Sequence, residues 1–273
     1  MLTIGIIGVG TVGQALFNVL SSDSTLEVLS YDKYNNKGNV NYLHDMITCD
    51  IIFLCLPTLY DASIKEYNKC AIEETLEYFS ENNFKSEIVI RSTVEPKYTF
   101  EKQQKFSNLN IIFNPEFLRA SKPEECIRNQ DFILIGYPNS NNKNNTNSHS
   151  KLESFYKNKW PNALLFTGDS TEMELLKITS NSFFAVKVQF FNEIYLLSQK
   201  IGVDYKSMMD KMLTQPWISP WSTTIPGPDG KLSYGGMCLP KDSNALLEYM
   251  KRNDTFHKVL ESCVEERNIM RDD

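Results

Sequence analysis

The chain has 273 residues, 41% of them hydrophobic and 23% charged, with 28 basic against 34 acidic side chains for a net charge of −6. That length supports about two domains with a core needing neither disulfides nor metal, and the acidic balance argues against nucleic-acid or anionic-membrane partners. No apolar run reaches the roughly 20 residues that span a bilayer, and the opening MLTIGIIGVG lacks the basic region and cleavage site of a signal peptide, so the sequence reads as soluble and cytoplasmic.

Along the first two-thirds, short β-rich runs alternate with helical spacing. Strands are predicted at residues 3–7, 26–31, 51–55, 87–91, 110–113, 132–135 and 164–167, and helices at 12–20, 71–79 and 96–106. Such alternation marks a doubly wound, mostly parallel sheet, and runs apolar on both faces fit a sheet covered on both sides. Residues 139–150, NSNNKNNTNSHS, read as a mobile surface loop. After Gly168 the pattern changes. Asp169-Ser170-Thr171-Glu172 carries helix-start signals, and no Gly or Pro follows until beyond Lys200. A helix of about 30 residues would be roughly 45 Å long, enough to leave one domain and found the next. Further helices are predicted over 203–213 and 241–273, around a Pro-, Gly- and Trp-rich loop at 215–240. The fold class is therefore α/β: a Rossmann-like doubly wound sheet over residues 1–168, then an all-helical domain over 169–273 built on a long central helix.

Gly8-Val9-Gly10-Thr11-Val12-Gly13 spells GxGxxG, after a strand and at the start of a helix, and Asp32 ends the next strand. In that setting the glycines allow a tight turn and close approach of backbone to a pyrophosphate at the helix N-terminus. Asp32 would accept the hydroxyls of an adenosine ribose and repel a 2′-phosphate. The predicted cofactor is NAD.

Six cysteines (49, 55, 70, 126, 238, 263) show no CxxC pair, and His44, His149 and His257 are scattered, so no metal site or His-based triad is predicted. Four other segments draw attention. Arg91-Ser92-Thr93-Val94 and Asn114-Pro115-Glu116-Phe117-Leu118-Arg119 each follow a strand, where open α/β sheets bind ligands. Lys177 and Asn181 project from one face of the long helix. Tyr234-Gly235-Gly236-Met237-Cys238-Leu239-Pro240-Lys241-Asp242 sets a cysteine just before a helix, whose N-terminus favours a thiolate. Singly, each has a plainer reading: a packing thiol, a snorkelling lysine, a surface amide, a capping carboxylate.

Together, GVGTVG, Pro57-Thr58, RSTV, NPEFLR, the Lys177/Asn181 helix and PGPDGKLSYGGMCLPKD at 226–242 resemble the UDP-glucose/GDP-mannose dehydrogenase family of nucleotide-sugar 6-dehydrogenases, along the whole chain. The resemblance implies a four-electron oxidation of a sugar CH2OH to a carboxylate by two NAD+, with UDP-glucose the expected substrate. It implies Cys238 as the nucleophile that carries a thiohemiacetal and then a thioester. Lys177 and Asn181 would stabilise the oxyanions at C6. Glu116 with Thr93 would hold the hydrolytic water, and Asp242 a water that accepts a proton early in the reaction.

Cofactor contacts are expected from Gly8, Gly10, Thr11, Val12, Gly13, Asp32, Lys33, Pro57, Thr58, Thr93 and Lys241. Substrate contacts are expected from Glu116, Phe117, Leu118, Arg119, Lys177, Asn181, Tyr234, Gly235 and Cys238, with loop 226–234 lining the sugar pocket. A homodimer through the long helix is the expected assembly. Two features depart from the family. Ala120 stands where many relatives carry a second acid after NPEFLR, and the sequence stops where the family's third, nucleotide-gripping α/β domain would follow, so either a fragment or a short form is expected. Two further readings stay open: a two-electron dehydrogenase of the 3-hydroxyacid type, which has no equivalent of Cys238, and a non-catalytic NAD- or nucleotide-sugar-binding protein.

Overall fold

A computed structural model describes residues 1–35, 37–138, 150–216 and 218–273. The predicted Asn-rich loop, Ser150 apart, and His149 lie outside the described residues. The chain divides into two compact units, Met1–Leu59 with Asn68–Lys177, and Tyr60–Tyr67 with Ile178–Asp273.

The first unit alternates as predicted: β1 (Leu2–Ile7), α1 (Thr11–Ser21), β2 (Leu26–Tyr31), β3 (Ile51–Leu54) and, after an excursion, α2 (Cys70–Glu81), β6 (Glu87–Ile90), α3 (Tyr98–Lys105) and β7 (Asn110–Phe113). Then come α4 (Pro123–Arg128), β8 (Phe132–Tyr137), α5 (Lys151–Lys159) and β9 (Leu164–Asp169). The sheet order is β2-β1-β3-β6-β7-β8-β9. Successive side chains leave opposite faces of a strand: Ile52 and Leu54 enter one core with Ile88 and Ile90, while Ile51 and Phe53 enter the other with Val89. Both faces are therefore covered, which explains the unbroken apolar runs. Every ladder of this seven-stranded sheet is parallel except β7 with β8, which meet antiparallel at the single pair Phe113↔Gly136.

The long helix, α6 (Ser170–Ile201), has 32 residues. The division between units falls inside it, after Lys177, rather than at Gly168, because its first turns bury Met173 in the sheet's core. Glu174 is also fully buried there, accepting the Thr99 backbone N–H at the start of α3, and its second oxygen has no partner among the described residues. Burial pushes its carboxyl from 4.5 up to about 8. The folded state therefore holds this proton over a pH range where the unfolded chain has released it. Its contribution to stability is full below about pH 4.5 and is lost as pH rises through about 8. Glu174→Gln, which mimics the protonated form, should match wild type near pH 4.5 and be more stable by a few kcal/mol, on the order of 1.4 per pKa unit, at pH 8. Thermal melts across that range check it.

The second unit adds a hairpin from earlier in the chain to the helices expected over 169–273. It contains the hairpin β4 (Tyr60–Asp61) with β5 (Glu66–Tyr67), then the rest of α6, α7 (Tyr205–Met212), α8 (Leu239–Arg252) and α9 (Lys258–Met270). The hairpin joins this unit because Tyr60 and Tyr67 pack with Ile178, Ala245, Leu246 and Val264, while Lys65 pairs with Glu248 and Arg252 with Glu66. The predicted helix over 241–273 is two helices. Asn253 ends α8 and Asp254 takes a positive φ of 50°, a conformation Asn and Asp tolerate better than most residues. No helix among the described residues is long and apolar enough to cross a membrane.

Candidate active site

The glycine turn divides its tasks by geometry. Gly8 has φ +94°, and a Cβ there would lie 2.5 Å from the Cys55 carbonyl oxygen. A Cβ on Gly13 would fall 1.9 Å from the Gly8 oxygen, so helix and strand could not pack this closely with any other residue. Gly10, by contrast, faces open space, with no heavy atom within 4 Å of a Cβ built on it. That is the cradle a pyrophosphate needs at the first N–H groups of α1. The turn lies where β1 is flanked by β2 on one side and β3 on the other, the point at which the sheet's order reverses.

Asp32 follows β2. Burial works against its ionisation, but the backbone N–H groups of Val9, Tyr34 and Asn35 outweigh it and hold the carboxyl below its usual range. It is therefore an anionic acceptor suited to ribose hydroxyls. Thr11, Val12 and Pro57 border the turn and the end of β3. Lys33 is exposed and paired with Glu74 at 3.0 Å. Thr58, buried, donates to the Thr93 carbonyl at 2.8 Å, and Ser92 donates to the Leu56 carbonyl at 2.6 Å, which ties the loops after β3 and β6 together.

Lys177 is 3% exposed, and its Nζ donates to the Glu116 carbonyl (2.5 Å) and to Glu116 Oε1 (3.4 Å). It also stands 4.7 Å above the Phe117 ring. Glu116 Oε2 accepts the Leu118 N–H at 2.6 Å, so the NPEFLR loop folds around its own carboxylate. Arg91 is a strut for this loop. Buried, it donates to Asn114 Oδ1 at 2.5 Å and to the Tyr156 hydroxyl at 3.1 Å. Beside the loop opens a cavity of about 390 Å³ whose lining includes Arg91, Glu116, Phe117 and Arg119. Arg119 and Ala120 are exposed.

In the second unit, Cys238 caps α8 and is exposed, and Asp242 sits one turn on, its N–H bonded to the Cys238 carbonyl at 3.0 Å. Asn181 Nδ2 donates to Asp242 Oδ2 at 2.5 Å, and Lys241 Nζ to Oδ1 at 2.5 Å. Tyr67 of the hairpin adds a third donor to the same carboxylate, at 2.5 Å. Nothing in the sequence around Tyr67 signalled this, since its partner is 175 residues away. Tyr234 is buried against Ala185 and Cys263 with its hydroxyl 3.3 Å from Ser243 Oγ. Gly235 is small for Arg271, whose Nη2 would lie 2.4 Å from a Cβ there. Arg271 in turn pins the preceding loop through Asp229 (2.6 Å) and the Leu232 carbonyl (3.1 Å).

The glycine turn, the anionic Asp32 and the reversing sheet order define a dinucleotide-binding protein. Residues 27–159 match the NAD binding domain, and residues 171–268 the central domain, of the UDP-glucose/GDP-mannose dehydrogenase family. The chain belongs to that family. It is 27% identical over 237 residues to a UDP-glucose 6-dehydrogenase of Streptococcus pneumoniae, a match covering 82% of this chain and 56% of that protein. The chain thus spans little more than half the length of that relative. Among solved structures, a UDP-glucose dehydrogenase from Pyrobaculum islandicum shares the fold with a TM-score of 0.79 at 20% identity, over 98% of this chain and 68% of that one. A 3-hydroxyisobutyrate dehydrogenase from Mycobacterium tuberculosis does so with a TM-score of 0.71 at 14% identity, over 97% of this chain and 92% of that one. At such identities the two structural likenesses speak to fold alone.

Proposed function

We propose that the protein oxidises the C6 hydroxymethyl group of a nucleotide sugar, UDP-glucose in our reading, to a carboxylate. The observation that carries this is the start of α8, where Cys238 caps the helix and Asp242, one turn on, holds the amide of Asn181. Bound at Gly10 and Asp32, NAD+ supplies the hydride acceptor for each of two oxidations. The Lys177 ammonium and the Asn181 amide, one turn apart on α6, donate to the C6 oxygen as negative charge develops there. The first oxidation gives its hydroxyl proton to water. At the aldehyde stage the Cys238 thiol adds across the C6 carbonyl, Sγ to carbon and its proton to oxygen, and the second oxidation, again with a proton lost to water, leaves a thioester on the same sulfur. Water held by Glu116 and Thr93 then breaks the C–S bond, returning the thiol and releasing the acid with loss of a proton.

A two-electron dehydrogenase shares the fold but has no task for a thiol at this position. Counting NADH formed per sugar consumed, over a panel of UDP- and GDP-sugars, separates the readings. Two per sugar is the expected result. One would leave the two-electron chemistry, and none, with NAD+ still bound, would leave a binding protein.

A second copy of the chain is the partner we infer for α6. Leu176, Phe183, Phe190 and Leu197 recur at every seventh position and are 41–57% exposed, a stripe that pairs helices as heptads do. Light scattering should give twice the 31.4 kDa of one chain.

A further inference from the structure

Asp242 is fully buried, and its carboxylate accepts from three side chains: Tyr67 and Lys241 on Oδ1, Asn181 on Oδ2. A carboxylate only accepts, so Asn181 must turn its nitrogen, not its oxygen, towards Asp242. That choice fixes the amide's rotation. One N–H is engaged by Asp242, and the other remains to donate to a C6 oxyanion. Helical spacing alone does not set this, because the terminal torsion of an Asn or Asp side chain is broad and soft.

The carboxylate therefore has to be held in its turn. Lys241 is an adjacent residue on a flexible four-carbon stem, 18% exposed. Tyr67 is a rigid ring with 0% exposure, packed among Ile178, Ala245 and Leu246. The hairpin that presents it is fastened by Arg252, which donates to the Lys65 carbonyl and pairs with Glu66. Resting on the dehydrogenase reading of Asn181, we propose that Tyr67 is a positioning residue: its phenol fixes the Asp242 carboxylate, which aims the Asn181 amide at the C6 oxygen.

Tyr67→Phe removes one hydroxyl and keeps the ring. We expect kcat to fall about tenfold, with KM for NAD+ and for sugar within about twofold. Tyr60→Phe, on the same hairpin, should leave kcat unchanged. A readout independent of turnover is the Asn181 side-chain amide signal in 15N-labelled protein, assigned by its loss in Asn181→Ser. In the wild type one amide proton should be displaced downfield by the carboxylate, and in Tyr67→Phe the pair should move or broaden. An unmoved signal overturns the proposal whatever the rate does, as does an unchanged kcat in active protein. If the wild type releases no NADH, the dehydrogenase reading fails and the amide signal alone decides what Tyr67 does. Should Tyr67→Phe fail to fold, 3-fluorotyrosine at position 67, which keeps the ring and strengthens the donor, must still shift that signal; no shift refutes the role.

Discussion

Replacing Cys238 with Ala is expected to abolish uronate formation and to lower steady-state NADH release by at least about 10³-fold, as removal of a covalent nucleophile does elsewhere. The expectation rests on the GGMCLPKD setting of Cys238, since exposure at a helix start is shared with Cys70 at the start of α2. Burial pushes Cys49 up to about 12 and Cys263 up to about 11, so both stay protonated at neutral pH and act as packing groups. Cys238 is exposed at the cap of α8, where the helix presents the positive end of its dipole. It is the sulfur to which we assign the chemistry. Without it, an aldehyde would have no nucleophile to carry it to the second oxidation, so any NADH formed should stop at one per sugar. The thermal melt should move little, since Cys238 is exposed and truncating an exposed side chain opens no core cavity. Uronate produced at wild-type rate by Cys238→Ala would end the covalent mechanism.

What the sequence made legible follows from how local each signal is. GVGTVG is read from one turn, and the close approaches at Gly8 and Gly13 give the steric reason for two of its glycines. The apolar runs of β1, β3, β6 and β7 mark buried strands within a few residues of their ends. Direction and company are not local. Residues 132–137 look like any other strand of the sheet, and only tertiary pairing reveals that β8 meets β7 antiparallel. The hairpin Tyr60–Tyr67 has strands of two residues each, too short for any period to show. The break between α8 and α9 contains neither Gly nor Pro, so no breaker announced it. In the site, Lys177 with Glu116 and Asn181 with Asp242 are each separated by 61 residues. The motifs supplied the residue types, while folding decided the partners, including Tyr67 added to the carboxylate.

Lys177→Met should lower kcat and kcat/KM together by about 10² to 10³, the loss expected when a preorganised donor to a developing oxyanion is removed. It should also destabilise the protein. Lys177 Nζ is held by the carbonyl and carboxylate of Glu116, whose side chain is only 13% exposed. Removing one member of so buried a pair leaves the other charge poorly compensated, at a cost of about 3 kcal/mol. Loss of rate and loss of stability would then be confounded in the single variant. The double variant Lys177→Met/Glu116→Gln separates them when turnover is read as the first hydride transfer in a single turnover, before the hydrolysis assigned to Glu116, because it removes both charges. Its melting temperature should recover most of the way to wild type, while turnover stays as low as in the single variant or falls further. Recovery of turnover along with stability would mean that Lys177 only holds the NPEFLR loop in place. Arg at this position is no substitute: a guanidinium is bulkier than the ammonium it replaces, and the side chain here is 4% exposed with the Phe117 ring 4.7 Å below its charge. The same packing that makes Lys177 hard to replace keeps its ammonium fixed before any substrate arrives, and a donor that needs no reorganisation at the moment of reaction is the kind that lowers a barrier.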